Sequence, residues 1–282
     1  KGIRFAFVLD EVGAFADGRS MGIDSYIALI GIAEKGYMDI LLSIQQKGGH
    51  ASMPPLKSAL NQVCSAAVKL ENDKFPASFT PASAAMFDAL AQYMKQPLRF
   101  LFEHRNLFSG ILLGQLTKQP MTAALVRTTC VMTQAQGSKA PNVLPQRATV
   151  TFNLRISEND SIASVMNRVK RIVGEEINVE ILAATEPTPS SPVGNDGYRM
   201  IRDSILEAFP VFKVVAPYPV VAATDSRVYN GMAEGVYRFV PFPSLIDDLG
   251  TIHGDNERIN IESYKQGIKF FDTLLTKFKS KG

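Results

Sequence analysis

Two of the three histidines of this chain lie in glycine-flanked loops, where the backbone presents a side chain that can bind a metal or transfer a proton. His50 lies in Gly-Gly-His-Ala-Ser-Met-Pro-Pro (48–55), and His253 lies in Thr-Ile-His-Gly-Asp-Asn-Glu-Arg-Ile (251–259). The third, His104, falls in a helical stretch and is interpreted as a surface or half-buried helix residue. The two loop histidines are therefore the first candidates for a functional site.

A carboxylate at the end of a predicted strand adds to this set. Residues 3–9 are a short, mostly apolar run that ends in Asp10, the pattern of a buried strand reaching the edge of its sheet. Ligand sites of open α/β sheets gather at such strand ends. Asp10 and His253 have the chemistry of ligands in a two-metal hydrolase, which also needs further ligands and a general base. A turn or cap role for Asp10 stays open at this point.

Composition sets limits on the class of protein. The chain has 282 residues, enough for two domains, and its 30 basic and 27 acidic residues are interspersed, which excludes a nucleic-acid partner. No apolar stretch approaches the roughly 18–20 residues that span a bilayer, so no membrane segment is predicted in this chain. Its two cysteines predict neither a disulfide framework nor a zinc knuckle.

The elements that must position these residues begin with an α+β unit. Strand patterns are predicted over 25–33, 37–45, 123–135, 147–156 and 177–183, and helix patterns over 55–70, 81–116 (several short helices) and 157–173. From about residue 37 to 185 their order is that of a ferredoxin-like split βαβ domain, with the short helices inserted in it.

A proline-rich segment, 185–194, leads out of this unit. Helices are predicted over 196–208 and 261–278 and strands over 212–216 and 235–240, which continue the sheet that begins at residue 3. The predicted fold class is therefore α/β, a sheet domain with an inserted ferredoxin-like α+β domain. The predicted domains are 1–36 and 188–282 for the two parts of the sheet domain and 37–187 for the insertion.

Four motifs along the chain resemble those of the M20 family of metallopeptidases, in the same order. They are Gly48-Gly49-His50-Ala51-Ser52-Met53-Pro54-Pro55, Asn142-Val143-Leu144-Pro145 followed by Asn153-Leu154-Arg155, Thr224-Asp225-Ser226-Arg227, and His253-Gly254-Asp255-Asn256-Glu257-Arg258. The resemblance covers almost the whole chain. It is greatest to the branch that contains carboxypeptidase S and the N-acyl amino acid hydrolases, where Val8-Leu9-Asp10-Glu11 and Tyr237-Arg238-Phe239-Val240-Pro241 also have counterparts.

The resemblance implies a role for each matching residue. Asp10 and His253 would be zinc ligands, one for each of two metal ions. His50, from the inserted lid or dimerisation domain, would stabilise the oxyanion. Arg155 would hold the carboxylate of the substrate and Asn142 would be a second polar contact near the carbonyl group. From the residues alone, Arg155 could equally form a surface ion pair and Asn142 a turn.

Asp225 has two possible roles. It could orient a metal ligand without binding the metal itself, or it could cap a helix predicted over 226–233.

The chain also departs from the family. The family's His-x-Asp motif, bridging Asp and Glu-Glu pair all precede the strand that begins this sequence, and Val12 stands where the branch has Gly. We therefore expect the C-terminal part of a larger enzyme, which alone neither assembles the two-zinc centre nor turns over substrate.

The predicted parent is a zinc-dependent exopeptidase or amidohydrolase that cleaves an amide bond beside a free carboxylate, in a small peptide or an N-acyl amino acid. We expect the lid domain to pair two copies of the chain. Two alternatives remain: an N-acyl amino acid deacylase instead of a peptidase, and a non-catalytic dimerisation or binding module. The compartment stays open, with the cytoplasm favoured, because no N-terminal targeting region is present in this sequence.

Overall fold

The structure is a computed structural model that describes residues 2–242 and 254–280. The chain forms two compact units: residues 1–34, 79–116 and 188–282 make the first, and residues 35–78 and 117–187 make the second. The short helices of 81–116, which are predicted from the sequence to lie in the inserted domain, belong to the first unit. The reason is packing, since Ala82 of this segment lies in the same buried cluster as Ala28 and Ile30.

The helices and strands are as follows. In chain order the described strands are β1 (Val8–Asp10), β2 (Ala14–Asp17), β3 (Tyr26–Glu34), β4 (Gly36–Gln45), β5 (Gly49–His50), β6 (Thr129–Gln136), β7 (Val143–Leu144), β8 (Arg147–Ile156), β9 (Asn178–Thr185), β10 (Phe212–Val220) and β11 (Val236–Arg238). The described α-helices are α1 (Ala59–Asn72), α2 (Pro81–Ala91), α3 (Leu98–Glu103), α4 (Ser109–Leu116), α5 (Pro120–Val126), α6 (Ile162–Val173), α7 (Asp196–Ala208) and α8 (Ile261–Lys279). None of these helices is long and apolar enough to cross a membrane.

The first unit is built on a mixed sheet with strand order β1-β11-β3-β10, and β2 pairs with β3 beside this path. β1 runs parallel to β11, and β3 runs parallel to β10. Helices α7 and α8 pack on each other, and α2 packs on β10. The apolar residues of β3, α7 and α8 meet in one core, which includes Ile30, Ile201 and Phe270, each without exposed surface. This is the α/β sheet domain that the sequence predicts.

The second unit is an antiparallel sheet with strand order β6-β8-β4-β9 and two helices, α1 and α6. Its order along the chain, β4-α1-β6-β8-α6-β9, is the βαββαβ pattern of ferredoxin-like domains, so this prediction is confirmed. Strict alternation along β8 buries every second side chain. The residues it buries are Ala148, Val150, Phe152, Leu154 and Ile156.

Capping residues move two helix starts from their predicted positions. The first helix begins at Ala59 and not at Pro55, because the Ser58 side chain accepts a hydrogen bond from the Asn61 N–H. The helix predicted from Ser157 begins at Ile162, after a capping box formed by Ser161 and a serine three residues later. In both places several serines were available, and periodicity alone could not choose between them.

Three further predictions of local structure were wrong in part. The strand predicted over 123–135 begins only at Thr129, because Pro120 at the first turn starts helix α5. The run 3–9 forms a regular strand only over Val8–Asp10. The helix predicted over 226–233 is a short 3-10 turn, Asp225–Tyr229, whose N-cap is Thr224.

Candidate active site

The carboxylate of Asp10 lies at the C-terminal end of β1, as the sequence predicts, and it is held by backbone donors. Its Oδ1 accepts the Glu11 N–H at 2.8 Å, and its Oδ2 accepts the Ser226 N–H at 2.8 Å. Burial raises the pKa of this carboxyl, but hydrogen bonds from Glu11, Thr224 and Ser226 outweigh burial and hold the pKa below its usual value. Asp10 is therefore an ionised, half-buried carboxylate with a constrained orientation.

A buried ion pair includes Arg238, which pairs with Asp10 in the β1–β11 register. Glu34, the last residue of β3, and Arg238, the last residue of β11, have no exposed side-chain surface, and Arg238 Nε donates to Glu34 Oε1 at 2.8 Å. The Thr224 hydroxyl donates to the same oxygen at 2.6 Å and also contacts the Ser226 hydroxyl at 2.6 Å. The network thus joins the ends of two strands to the turn that holds Asp10.

Sequence reasoning missed this network. The sequence motifs include Arg238 and Thr224 but predict no functional role for either residue, and Glu34 lies in no motif. A signal was present, because Arg238 lies among Val236, Tyr237 and Phe239 in an apolar strand, where a charge must find a partner. The identity of that partner depends on the sheet order.

Asp225 and His253 are the other two residues that the sequence predicts for the metal centre. Asp225 is exposed at the first position of the 3-10 turn, between the buried Thr224 and Ser226 that make the contacts described above. Its role in orienting a ligand stays a prediction. His253 lies outside the described residues, so its predicted role as a metal ligand stays a prediction as well.

Val12 has an unusual backbone conformation two residues after Asp10. Its φ angle is 64°, in the left-handed region that β-branched residues rarely adopt. The next residue, Gly13, has no room for a side chain, since a Cβ there would lie 2.8 Å from the Phe239 Cα. The backbone at position 12 therefore has a conformation that favours glycine.

We expect the substitution Val12→Gly to stabilise the protein by about 1 kcal/mol. A left-handed L-residue costs about 1–2 kcal/mol, whereas glycine costs about 0.5–1 kcal/mol in chain entropy. The measurement is the free energy of unfolding from denaturant titration. Val12→Ala is the matched control, because alanine keeps the Cβ and should gain less than glycine does. A glycine variant less stable than the parent would contradict the strain at this position.

The second unit brings His50 and Asn142 together. β5 pairs antiparallel with β7, in a register that places His50 opposite Val143, and the Ala51 N–H donates to the Asn142 carbonyl oxygen at 2.9 Å. Both His50 and Asn142 are exposed. Gly48 allows this close approach, since a Cβ there would lie 2.9 Å from the Leu144 carbonyl oxygen. Two of the predicted site residues thus lie on neighbouring segments of one loop pair.

Arg155 lies at the other end of the same unit. It is paired with Tyr37 in the β4–β8 register, whereas Gln45 and Arg147 form the pair at the end that continues to His50 and Asn142. Roughly eight residues of strand separate the two pairs, about 26 Å. Within one chain the structure therefore does not bring Arg155 close to His50.

The surroundings of Arg155 hold it in place. Its guanidinium lies 4.8 Å from the centre of the Tyr37 ring, and the Tyr37 hydroxyl donates to Asp39 at 2.5 Å.

Lys35 is a buried lysine of the same unit. Its Nζ donates to the carbonyl oxygens of Ala124 and Arg127. Burial, reinforced by the positive charge of Arg155, lowers the pKa of Lys35 to about 7.

A metal ion needs several ligands at one point. Among the described residues, no group of three or more His, Cys, Asp or Glu side chains could hold a metal ion. Asp10 has the chemistry of one zinc ligand, an ionised carboxylate at a strand end, but the described residues by themselves do not form a complete zinc site.

The fold of the second unit and its loop pair define a class of protein. The family described as "Peptidase dimerisation domain" matches residues 32–179, which is more than half of the chain. The chain therefore belongs to the M20 peptidase family, and the resemblance found in the sequence is confirmed. The metallopeptidases of this family depend on metal, generally zinc.

Relatives at 30% identity or more support the same assignment. The chain is 30% identical over 279 residues to the human N-fatty-acyl-amino acid synthase/hydrolase PM20D1, an alignment that covers 98% of this chain and 56% of that protein. It is 34% identical over 274 residues to the probable carboxypeptidase S-like 2 of Dictyostelium discoideum, covering 96% of this chain and 52% of the relative. The chain thus spans about half the length of the curated relatives it matches.

Solved structures share the fold at lower identity. The di-peptidase Dug1p of Saccharomyces cerevisiae superimposes with a TM-score of 0.59 at 11% identity, covering 95% of this chain and 57% of that one. The M20 family metallo-carboxypeptidase Sso-CP2 of Sulfolobus solfataricus gives 0.58 at 15% identity, covering 88% and 59%. These likenesses confirm the predicted fold class.

Proposed function

We propose that this chain acts as part of an M20-type hydrolase that cleaves an amide bond beside a free carboxylate. The observation that carries the proposal is the loop pair of the dimerisation domain, which presents His50 next to Asn142 on an exposed surface. An exposed imidazole held by paired strands is suited to donate a hydrogen bond to a substrate.

Each candidate residue has one role in this proposal. His50 donates to the carbonyl oxygen as it becomes an oxyanion, with Asn142 as a second polar contact. Arg155, whose planar guanidinium suits a bidentate contact, binds the free carboxylate of the substrate. Asp10 and His253 are the zinc ligands that this chain contributes. Zinc, when bound, supplies an activated water.

The separation of Arg155 from His50 bears on the oligomer. The end of the β4–β8 pair that carries Arg155 and the end that continues to His50 are about 26 Å apart, far more than the length of a dipeptide. A small substrate can contact both kinds of residue only if two copies of the chain contribute to one site. The proposal therefore includes a homodimer formed through the dimerisation domain.

Two substrate classes fit these roles, N-acyl amino acids and small peptides, because each presents an amide bond beside a carboxylate. The relatives bear names of both kinds, a fatty-acyl-amino acid hydrolase and a carboxypeptidase. Their names do not choose between the two classes for this chain. We propose both as substrate classes to be tested together.

The test measures metal content and hydrolysis on the purified product of the complete gene. Elemental analysis is expected to find about two zinc ions per protomer, and the protein should hydrolyse N-acyl amino acids or dipeptides in a way that a chelator abolishes. Substrates whose α-carboxylate is amidated serve as the matched control and should be poor. A protein that binds no zinc and hydrolyses neither class would instead be a non-catalytic binding module.

A further inference from the structure

The ring of His50 is contacted twice by one residue, Ser52. The Ser52 backbone N–H donates to His50 Nδ1 at 3.2 Å, and the Ser52 hydroxyl oxygen lies 2.7 Å from the same nitrogen. Both side chains are exposed, so these contacts are not a consequence of core packing. Ser52 is therefore a local partner of the imidazole.

The backbone contact determines which nitrogen of the neutral ring carries the hydrogen. A backbone N–H can only donate, so Nδ1 must offer its lone pair as the acceptor. The Ser52 hydroxyl, which can rotate, then donates to the same nitrogen. A neutral imidazole carries one hydrogen, and with Nδ1 as acceptor that hydrogen lies on Nε2. The ring accordingly has an N–H donor on the side remote from Ser52.

The loop around Ser52 keeps this geometry. The Met53 N–H donates to the His50 carbonyl oxygen at 3.2 Å, and this bond closes a turn from His50 to Met53 that contains Ser52. Pro54 and Pro55 follow at once and restrict the chain beyond the turn. On the other side, β5 is anchored by its pairing with β7. Ser52 is thus held at a constant position relative to the ring.

We propose that Ser52 is a positioning residue for His50: its N–H selects the Nε2–H tautomer of the imidazole and its hydroxyl holds the ring in place, with Nε2 directed towards the substrate carbonyl oxygen. The inference rests on the proposed function, because it assigns Ser52 a purpose only if His50 is the oxyanion donor. Ser52 itself does not contact the substrate. His50 acts as a hydrogen-bond donor and transfers no proton in this role.

The first test reads the tautomer directly, by nitrogen-15 NMR of ring-labelled histidine in this chain. The chain has three histidines, and the spectrum of His50→Ala identifies the signals of His50. The neutral ring is expected to be in the Nε2–H form. Ser52→Pro, which removes the N–H, should lower the ratio of the Nε2–H to the Nδ1–H form about fivefold, the effect of one neutral hydrogen bond. Ser52→Ala keeps the N–H and should leave the ratio unchanged, because the hydroxyl can donate to Nδ1 or accept from it.

Two controls make this test specific. Ser52→Ala lacks the hydroxyl, as Ser52→Pro does, but keeps the N–H, so the difference between these two variants isolates the N–H. Ser65→Ala, at an exposed position of helix α1, should leave the His50 signals unchanged, and the His104 signals should be the same in every variant. An unchanged ratio in Ser52→Pro, or a parent ring in the Nδ1–H form, would overturn the inference.

The second test separates this inference from the proposed function. In the complete protein, Ser52→Ala should lower kcat about fivefold with little change in KM, and Ser52→Thr should recover the rate. If the tautomer shifts in Ser52→Pro while neither Ser52→Ala nor His50→Ala changes kcat, the proposed role of His50 fails, and Ser52 has no positioning role in catalysis. If His50→Ala lowers kcat but Ser52→Pro does not shift the tautomer and Ser52→Ala does not lower kcat, only the role of Ser52 is refuted.

Discussion

Replacing Arg238 by Met is expected to destabilise the protein by about 3–5 kcal/mol, because the substitution leaves the Glu34 carboxylate buried without its cation. Both side chains are fully buried in the parent and are joined at 2.8 Å. Thr224 remains a donor to Glu34, but one hydroxyl cannot replace the charge of a guanidinium. The free energy of unfolding, from denaturant titration, measures the loss.

The controls separate burial from charge. The double variant Arg238→Met with Glu34→Gln removes both charges and should recover a large part of the stability, since the main cost of the single variant is an unpaired buried ion. Arg199→Met breaks an exposed ion pair with Asp196 and should cost no more than about 1 kcal/mol. If Arg238→Met were as mild as Arg199→Met, the pair would contribute nothing to the sheet end that carries Asp10.

Replacing His50 by Ala in the complete protein is expected to lower kcat by about 10²–10³, the usual effect of removing one oxyanion donor. His50 is exposed, so the free energy of unfolding should change by less than about 0.5 kcal/mol, and the loss can be assigned to catalysis. Steady-state kinetics on an N-acyl amino acid and on a dipeptide measure the effect.

His104 offers a matched control for this experiment. It is also exposed, and its Nδ1 lies 2.9 Å from the Phe100 carbonyl oxygen of its own helix, so it has a local structural partner. His104→Ala should leave kcat unchanged. A rate for His50→Ala equal to that of the parent would remove His50 from the oxyanion site, whatever the result for Ser52.

The sequence alone was sufficient for most of the elements and for the family. Alternating apolar residues such as Met38, Ile40 and Leu42 predict a half-buried strand in any context, because the period of two is a property of the extended backbone. The order of strands and helices then predicted the ferredoxin-like unit, and the order of motifs predicted the M20 family. Both predictions are confirmed.

Helix ends were not predictable to the residue. Ser157 and Ser161 are both residue types favoured at an N-cap, and in the structure the Ser161 hydroxyl accepts a hydrogen bond from the N–H three residues on. The short helices of 81–116 could likewise be recognised as helices, but not assigned to a unit. That assignment depends on which apolar surface they cover, and Ala82 lies in the core of the first unit.

The candidate site shows the same division between local pattern and tertiary contact. The sequence by itself determined which residue types stand at strand ends and in glycine-flanked loops, such as Asp10 and His50, because backbone sterics and burial act over a few residues. Only the tertiary structure decided that Arg238 pairs with Glu34, 204 positions away, and that Asn142 lies beside His50. Such contacts depend on strand order and register, and these are fixed by the packing of the whole unit.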